Sequence, residues 1–233
     1  MSDFLYNHPL FINLSDDFRQ ELFGFFEKKV APKGTVLFAA GDTPQFIYII
    51  AKGWVKLFRT SEEGHHAIVA MCQQHDLCGD ERFLAEGLYH SHAEAISETI
   101  LYKMPYEKFI YYRTYHLDFV NNLVNLLTKT QQFYMHEVEH RTLQNAPQRL
   151  GCFLLRLCYP QDKGTARISL PYDKYHIAHQ LGMQAETFSR ALKKLCNSLD
   201  IRIANHEVFI QDVAELADYV CGACSSQYPC GDL

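Results

Sequence analysis

Apolar positions change their period along the chain, and each change marks a different kind of element. From about Ala31 to Met104, short β-branched or aromatic runs alternate with glycine: KGTVLFAAGD, FIYIIAKGWVKLFR, HAIVAMC and HAEAISETILYKM. Gly34, Gly41, Gly53, Gly64 and Gly79 fall between these runs, with Pro44 at one more bend, at the short regular spacing of a sandwich or roll. From about Leu117 to Leu143 neither proline nor glycine interrupts the sequence, and Val120, Leu123, Leu127, Thr130, Tyr134, Val138 and Arg141 follow one another at steps of three and four. That predicts one long helix with a narrow apolar stripe, and such a stripe calls for a partner helix.

The stretch KYHIAHQLGMQAETFSRALKKL, Lys174 to Leu195, predicts a helix, a tight turn at Gly182 and a second helix facing another way. Ile177, Ala178 and Leu181 line one helix, and Met183, Phe188, Ala191 and Leu192 the other. Glu186, Ser189 and Arg190 are left on an exposed face. Around this pair the pattern predicts a helix over 149–157, a strand over 167–170, a hairpin of 201–203 and 208–210 turning through Asn205 and His206, and a last helix over 211–219. The class is α+β: an N-terminal β-roll (1–116), a long helix (117–144), a winged helix-turn-helix (145–219) and a cysteine-bearing tail (220–233).

An ordinary αα-hairpin with a solvated face has the same local pattern, so charge has to separate the two readings. Between Arg141 and His206 there are ten Lys and Arg against four Asp and Glu, a balance of +6 within a chain whose net charge is −5. A basic segment in an acidic protein is the footprint of one domain that meets phosphate while the others do not. The 233 residues suffice for two modest cores. The first residues, MSDFLYNHPLFINLSDDF, are acidic where a leader would be basic, and no apolar run approaches membrane-spanning length. The expectation is a cytoplasmic protein with no membrane partner, whose eight cysteines are free thiols or metal ligands.

The order K-G-x-x-L-F-x-x-G-D, then Y-I-I-x-x-G-x-V-K-L-F-R, resembles the β-roll of cyclic-nucleotide-binding domains. Followed by a helix-turn-helix, it resembles the Crp/Fnr family of bacterial transcription regulators over nearly the whole chain. The resemblance implies that the long helix is a parallel homodimer interface, with Val120, Leu123, Leu127, Tyr134 and Val138 in its seam. It also implies a hinge at Asn145-Ala146-Pro147, double-stranded DNA and RNA polymerase as partners, and no catalytic residues.

A guanidinium can donate two hydrogen bonds to guanine, a carboxylate can accept one from cytosine, and a serine can approach a thymine methyl. Arg190, Glu186 and Ser189 supply these groups, and E-x-x-S-R resembles the Fnr branch, which implies a TTGAT-like half-site in an inverted repeat. Thr187, Lys193, Lys194 and Lys174 are the candidate phosphate contacts, with Arg202 as the cation of the wing. In the roll, a cyclic nucleotide requires a buried arginine followed by serine or threonine. Counted from Gly79, Asp80 and Glu81, that slot falls at His90-Ser91, and Arg82 is too close to the glycine to replace it. No cyclic nucleotide is expected.

Two further metal readings concern the roll. His90, His92 and Glu94 form an H-x-H-x-E stretch open to comparison with a cupin-like metalloenzyme, and a haem held by histidine or cysteine would resemble the family's gas sensors. The tail offers another chemistry. Cys221, Cys224 and Cys230 stand as C-x2-C-x5-C, and Pro229 limits the returning loop. This spacing resembles the Fnr cysteine motif, and its C-terminal position resembles Bacillus-type Fnr, which implies a [4Fe–4S] cluster sensing oxygen, nitric oxide or redox state. A zinc site and a thiol pair remain alternatives. A cluster wants a fourth ligand, for which His136, Glu137, Glu139 and His140 are the candidates. Cys152, Cys158 and Cys196 read as buried core thiols.

Overall fold

A computed structural model describes residues 3–80, 87–158, 164–225 and 230. Arg82 and Pro229, singled out above, lie outside the described residues. The chain divides into two compact units, Met1–Thr130 and Gln131–Leu233.

The first unit opens with α1 (Asp3–Tyr6), a 3-10 turn at Pro9–Phe11 and α2 (Asp16–Phe23), whose Ser15 cap accepts a hydrogen bond from the Phe18 amide. Eight strands follow: β1 (Glu27–Ala31), β2 (Val36–Phe38), β3 (Phe46–Lys52), β4 (Val55–Thr60), β5 (His66–Cys72), β6 (Leu77–Cys78), β7 (His92–Ala95) and β8 (Thr99–Pro105). They pair antiparallel into sheets ordered β1-β8-β3-β6 and β2-β7-β4-β5. Gly53, at a φ of 91°, makes the turn between β3 and β4. A Cβ there would stand 2.5 Å from the Glu98 carbonyl oxygen, so no other residue fits.

The run FIYII is apolar without alternation because the sheet containing β3 is buried on both faces. Tyr48, Ile50 and Leu101 point into the roll with Phe38, Val55 and Tyr89. Ile47, Ile49, Tyr102 and Met104 point the other way, into a core with Leu5, Leu10, Phe11, Leu22 and Phe23. That core is completed by Phe109 and Tyr112 of α3 (Tyr106–Tyr115) and by Phe119 and Leu123 of α4 (Leu117–Leu143). This corrects the expected helix seam at Leu123, which is only 3% exposed and presents no free face to a partner. Leu127 packs on the same core but stays half-buried. The exposed apolar residues of α4 are instead Leu117, Val124, Phe133, Tyr134, Met135, Val138 and Leu143. Tyr134 and Val138 of the expected seam are among them, while Val120 is half-buried.

The second unit contains the rest of α4, then α5 (Ala146–Leu157), β9 (Ala166–Ser169), α6 (Lys174–Gln180), α7 (Ala185–Ser198), β10 (Ile201–Ala204), β11 (Glu207–Ile210) and α8 (Val213–Cys221). The place expected to be a hinge is a strong helix start. The Asn145 side chain accepts from the Gln148 amide, the Gln148 side chain accepts from the Asn145 amide, and Pro147 sits in the first turn. Asp173 caps α6 by accepting from the His176 amide, and Asp212 caps α8 by accepting from the Ala214 and Glu215 amides. The three strands form an antiparallel sheet, β10-β11-β9, with the wing register pairing Ile201 with Ile210. Leu150, Phe153, Ile177, Phe188, Leu195, Val208, Leu216 and Val220 are buried in this unit.

Candidate nucleic-acid interface and thiol site

Gly182, at a φ of 65°, turns the chain between α6 and α7, and the Met183 amide donates to the Ala178 carbonyl across the corner at 2.8 Å. Phe188, Ala191 and Leu195 bury one face of α7. The opposite face therefore holds Glu186, Ser189, Arg190, Lys193 and Lys194, all exposed, with Thr187 half-buried beside them. Glu186 and Arg190 lie one helical turn apart, 3.7 Å between charged atoms, and their side chains are 80% and 72% exposed. A pair so solvated is worth little and can open toward base edges. Ser189 donates to the Ala185 carbonyl at 2.9 Å. Lys174 is exposed at the start of α6, and Arg202 is exposed on β10 next to Asp200, at 3.3 Å. All eight expected DNA contacts thus belong to the second unit, and seven of them are exposed.

Beneath this surface lies a polar network that the sequence did not announce. Glu137, 9% exposed, accepts from Arg156 at 2.5 Å, and the same guanidinium reaches His140 Nδ1 at 2.9 Å. Arg141 donates to the Gln180 carbonyl at 2.8 Å, and the Tyr172 hydroxyl donates to the Gln180 side chain. The network therefore ties the end of α4 and α5 to α6. Burial lowers the pKa of His140, and the neighbouring Arg156 lowers it further.

One buried thiol touches this network. The Cys152 Sγ is 4.0 Å from His140 Nδ1 and 4.0 Å from an Arg156 nitrogen. Burial pushes its pKa up, Arg156 opposes that shift, and the nearby Cys224 and Cys221 reinforce it. Cys221 is the last residue of α8 rather than part of a free tail, and Cys221, Cys224 and Cys230 are all half-buried. The Ser225 amide donates to Glu139 at 2.7 Å, and the side chain and backbone of Ser225 together lower the pKa of that carboxyl. Cys158 is buried, as expected, with its thiol donating to the Leu154 carbonyl at 3.4 Å, and Cys196 is half-buried. Cys152 is buried too, but against His140 and Arg156 rather than in plain core.

In the roll, the H-x-H-x-E residues have structural neighbours. The His92 ring stacks on Phe58, Glu94 pairs with Lys56 at 3.0 Å, and His90 is exposed. The Ser91 hydroxyl is buried and has no hydrogen-bond partner among the described residues. Among the described residues, no three His, Cys, Asp or Glu side chains are placed to hold one metal ion, whether in the roll or at the tail. Nor is any described helix long and apolar enough to cross a membrane.

Residues 28–113 match the cyclic nucleotide-binding domain family, and residues 148–219 match the Crp-like helix-turn-helix domain family. The chain is 30% identical to the nitrogen fixation regulation protein FixK of Rhizobium meliloti, over 70% of this chain and 72% of that protein. It is 26% identical to the cyclic AMP receptor protein of Thermus thermophilus, over 92% of this chain and 97% of the relative. With the fumarate and nitrate reduction regulatory protein of Vibrio cholerae the identity is also 26%, over 82% and 77% of the two chains. In fold it is similar to FixK2 of Bradyrhizobium japonicum, with a TM-score of 0.71 at 18% identity over 84% of this chain and 97% of that one. A cyclic-nucleotide-type roll and a Crp-like reading head on one chain, with full-length regulators as relatives, make this protein a member of the Crp/Fnr family of DNA-binding transcription regulators.

Proposed function

We propose that the protein is a homodimeric regulator that reads a TTGAT-like inverted repeat and senses oxygen, nitric oxide or redox state through a [4Fe–4S] cluster bound by Cys221, Cys224 and Cys230. The observation that carries the sensing half is the place of Cys221 at the end of α8, with Cys224 three residues on and both half-buried in the DNA-binding unit. Soft thiolates suit an iron–sulfur assembly, whose donors bind separate irons and so stand wider apart than ligands of a single ion. When bound, such a group supplies chemistry that oxygen and nitric oxide destroy. The chain's own part is to hold α8 and the Ser225 backbone against the end of α4, close to the network that positions α6. The relatives named for nitrogen fixation and for fumarate and nitrate reduction support this reading.

The reading head is tested by contrast. Arg190→Ala and Glu186→Ala should each relax discrimination at one base pair by about 1–3 kcal/mol, whereas Lys193→Ala weakens all sequences and lowers the salt slope. Equal loss by Arg190→Ala on the TTGAT repeat and on scrambled DNA removes Arg190 as a base reader. For the sensor, protein reconstituted without oxygen should contain iron and sulfide and bind its operator more tightly than after air. Cys224→Ser should lose both properties. An apo-protein that binds as tightly as the reconstituted one overturns the switch.

Cyclic AMP binding is the second reading, favoured by the family matched at residues 28–113 and by the name of the Thermus relative. The exposed His90 at the arginine slot stands against it. Calorimetric titration with cyclic AMP should show no heat of binding, and micromolar affinity would establish the nucleotide as effector.

A further inference from the structure

One flank of α7 is neither core nor free surface. Ala185, Phe188, Ser189, Leu192, Lys193 and Cys196 fall at i, i+3, i+4, i+7, i+8 and i+11, so they form a single stripe along the helix, beside the buried Ala191 and Leu195. Ile201 and Ile203, two residues apart on β10 and so on one side of the strand, meet that stripe. Lys174 and Tyr175, at the start of α6, complete the lining. The enclosed groove measures about 460 Å³, inside the span of roughly 300–1,000 Å³ that small-molecule sites occupy.

We infer that this groove binds a small organic anion with an apolar body, and that such a ligand and DNA exclude each other. The floor supplies the apolar half. Phe188 and Ile201 are buried, but Leu192 and Ile203 are only half-buried, which leaves hydrocarbon in contact with water that an apolar ligand would displace. The charge is one-sided. Lys174 and Lys193 are exposed and make no ion pair among the described residues, and no carboxylate is among the residues that line the groove. An acid group therefore meets ammonium charge there without displacing an existing partner, whereas a neutral ligand gains nothing from it. Lys174, Ser189 and Lys193 are also expected DNA contacts, so a ligand seated among them occupies groups that the duplex needs. This second half rests on the reading-head assignment above; the binding itself does not.

Cys196 provides a reporter, because its half-buried thiol lines the same groove. The test titrates the full-length apo-protein with octanoate, with 1-octanol, which keeps the apolar body, and with acetate, which keeps the charge. Calorimetry reads binding, peptide mass spectrometry reads the rate at which iodoacetamide alkylates Cys196, and fluorescence anisotropy reads affinity for a labelled duplex. Octanoate should bind, slow the alkylation of Cys196 and weaken duplex binding, while octanol and acetate at the same concentration do none of these. Lys174→Gln, an exposed substitution, should weaken octanoate about tenfold. The alkylation and anisotropy measurements need no variant and decide alone if Lys174→Gln does not fold. No binding at millimolar octanoate, equal binding of octanol, or an unprotected Cys196 overturns the site. A protected Cys196 with unchanged duplex affinity overturns the exclusion instead. In that event Lys193→Ala separates the causes: if it weakens duplex binding, the exclusion alone has failed, and if it does not, the reading-head assignment has failed with it.

Discussion

Both compact units bury cysteines, but on different terms. In the roll, Cys72 and Cys78 are enclosed among Phe38, Tyr48, Val55 and Leu101, and the Cys72 thiol donates to the Leu77 carbonyl at 3.9 Å. The neighbouring Cys78 thiol, burial and nearby carboxylates push the Cys72 thiol well above its ordinary pKa. In the DNA-binding unit, Cys152 has a guanidinium beside it, and Cys221 and Cys224 are half-buried rather than sealed. Since the thiolate is the reactive and ligating form, a closed apolar setting silences a cysteine, whereas partial exposure to solvent does not. The contrast gives the DNA-binding unit thiols that solvent can reach and leaves the roll's sulfurs as packing.

The strongest way to break this comparison is to remove the cation. Arg156→Met leaves Glu137 buried without its partner and should cost about 3 kcal/mol or more in the second unit alone. Trp54, the only tryptophan, lies in the first unit, so its fluorescence should report an unchanged urea transition while far-ultraviolet circular dichroism shows an earlier one. Coincident shifts in both signals would mean that the units do not unfold separately.

A smaller effect sharpens the roll's side of the contrast. Burial lowers the His8 pKa to about 4, so His8 favours the fold increasingly as pH rises from about 4 toward 6.5. Burial raises the Asp76 pKa to about 6 from 3.8, so the folded state holds that proton more tightly and loses stability over much the same rise. The two slopes oppose each other. Asp76→Asn should expose the His8 slope, making the gain in roll stability between pH 4.5 and 6.5 larger by about 2 kcal/mol, read by Trp54 in urea. An unchanged pH profile refutes the opposition.

The smallest perturbation is chemical labelling. In the apo-protein at pH 8, iodoacetamide should modify Cys224 at least about tenfold faster than Cys72 or Cys78, followed by peptide mass spectrometry. Comparable rates would erase the distinction between the two settings.

What the sequence determined by itself is whatever local rules govern. The glycine-punctuated runs became the strands of the roll, the uninterrupted stretch became α4 over Leu117–Leu143, and the Gly182 corner left Glu186, Ser189 and Arg190 outward because Phe188 and Leu195 had to go inward. Caps and periods depend on neighbours within a few residues, so they are legible in a string. The short N-terminal helices lack a long enough period to be read, and the face of α4 was misassigned at Leu123. A three-and-four pattern says that a stripe is buried but not against what, and here the N-terminal core claimed that leucine. The Glu137–Arg156–His140 network and the close approach of Gly151 to Val220 join α5 to α4 and to α8. Only tertiary structure decides such pairings, because contacts between helices leave no periodic trace in either one.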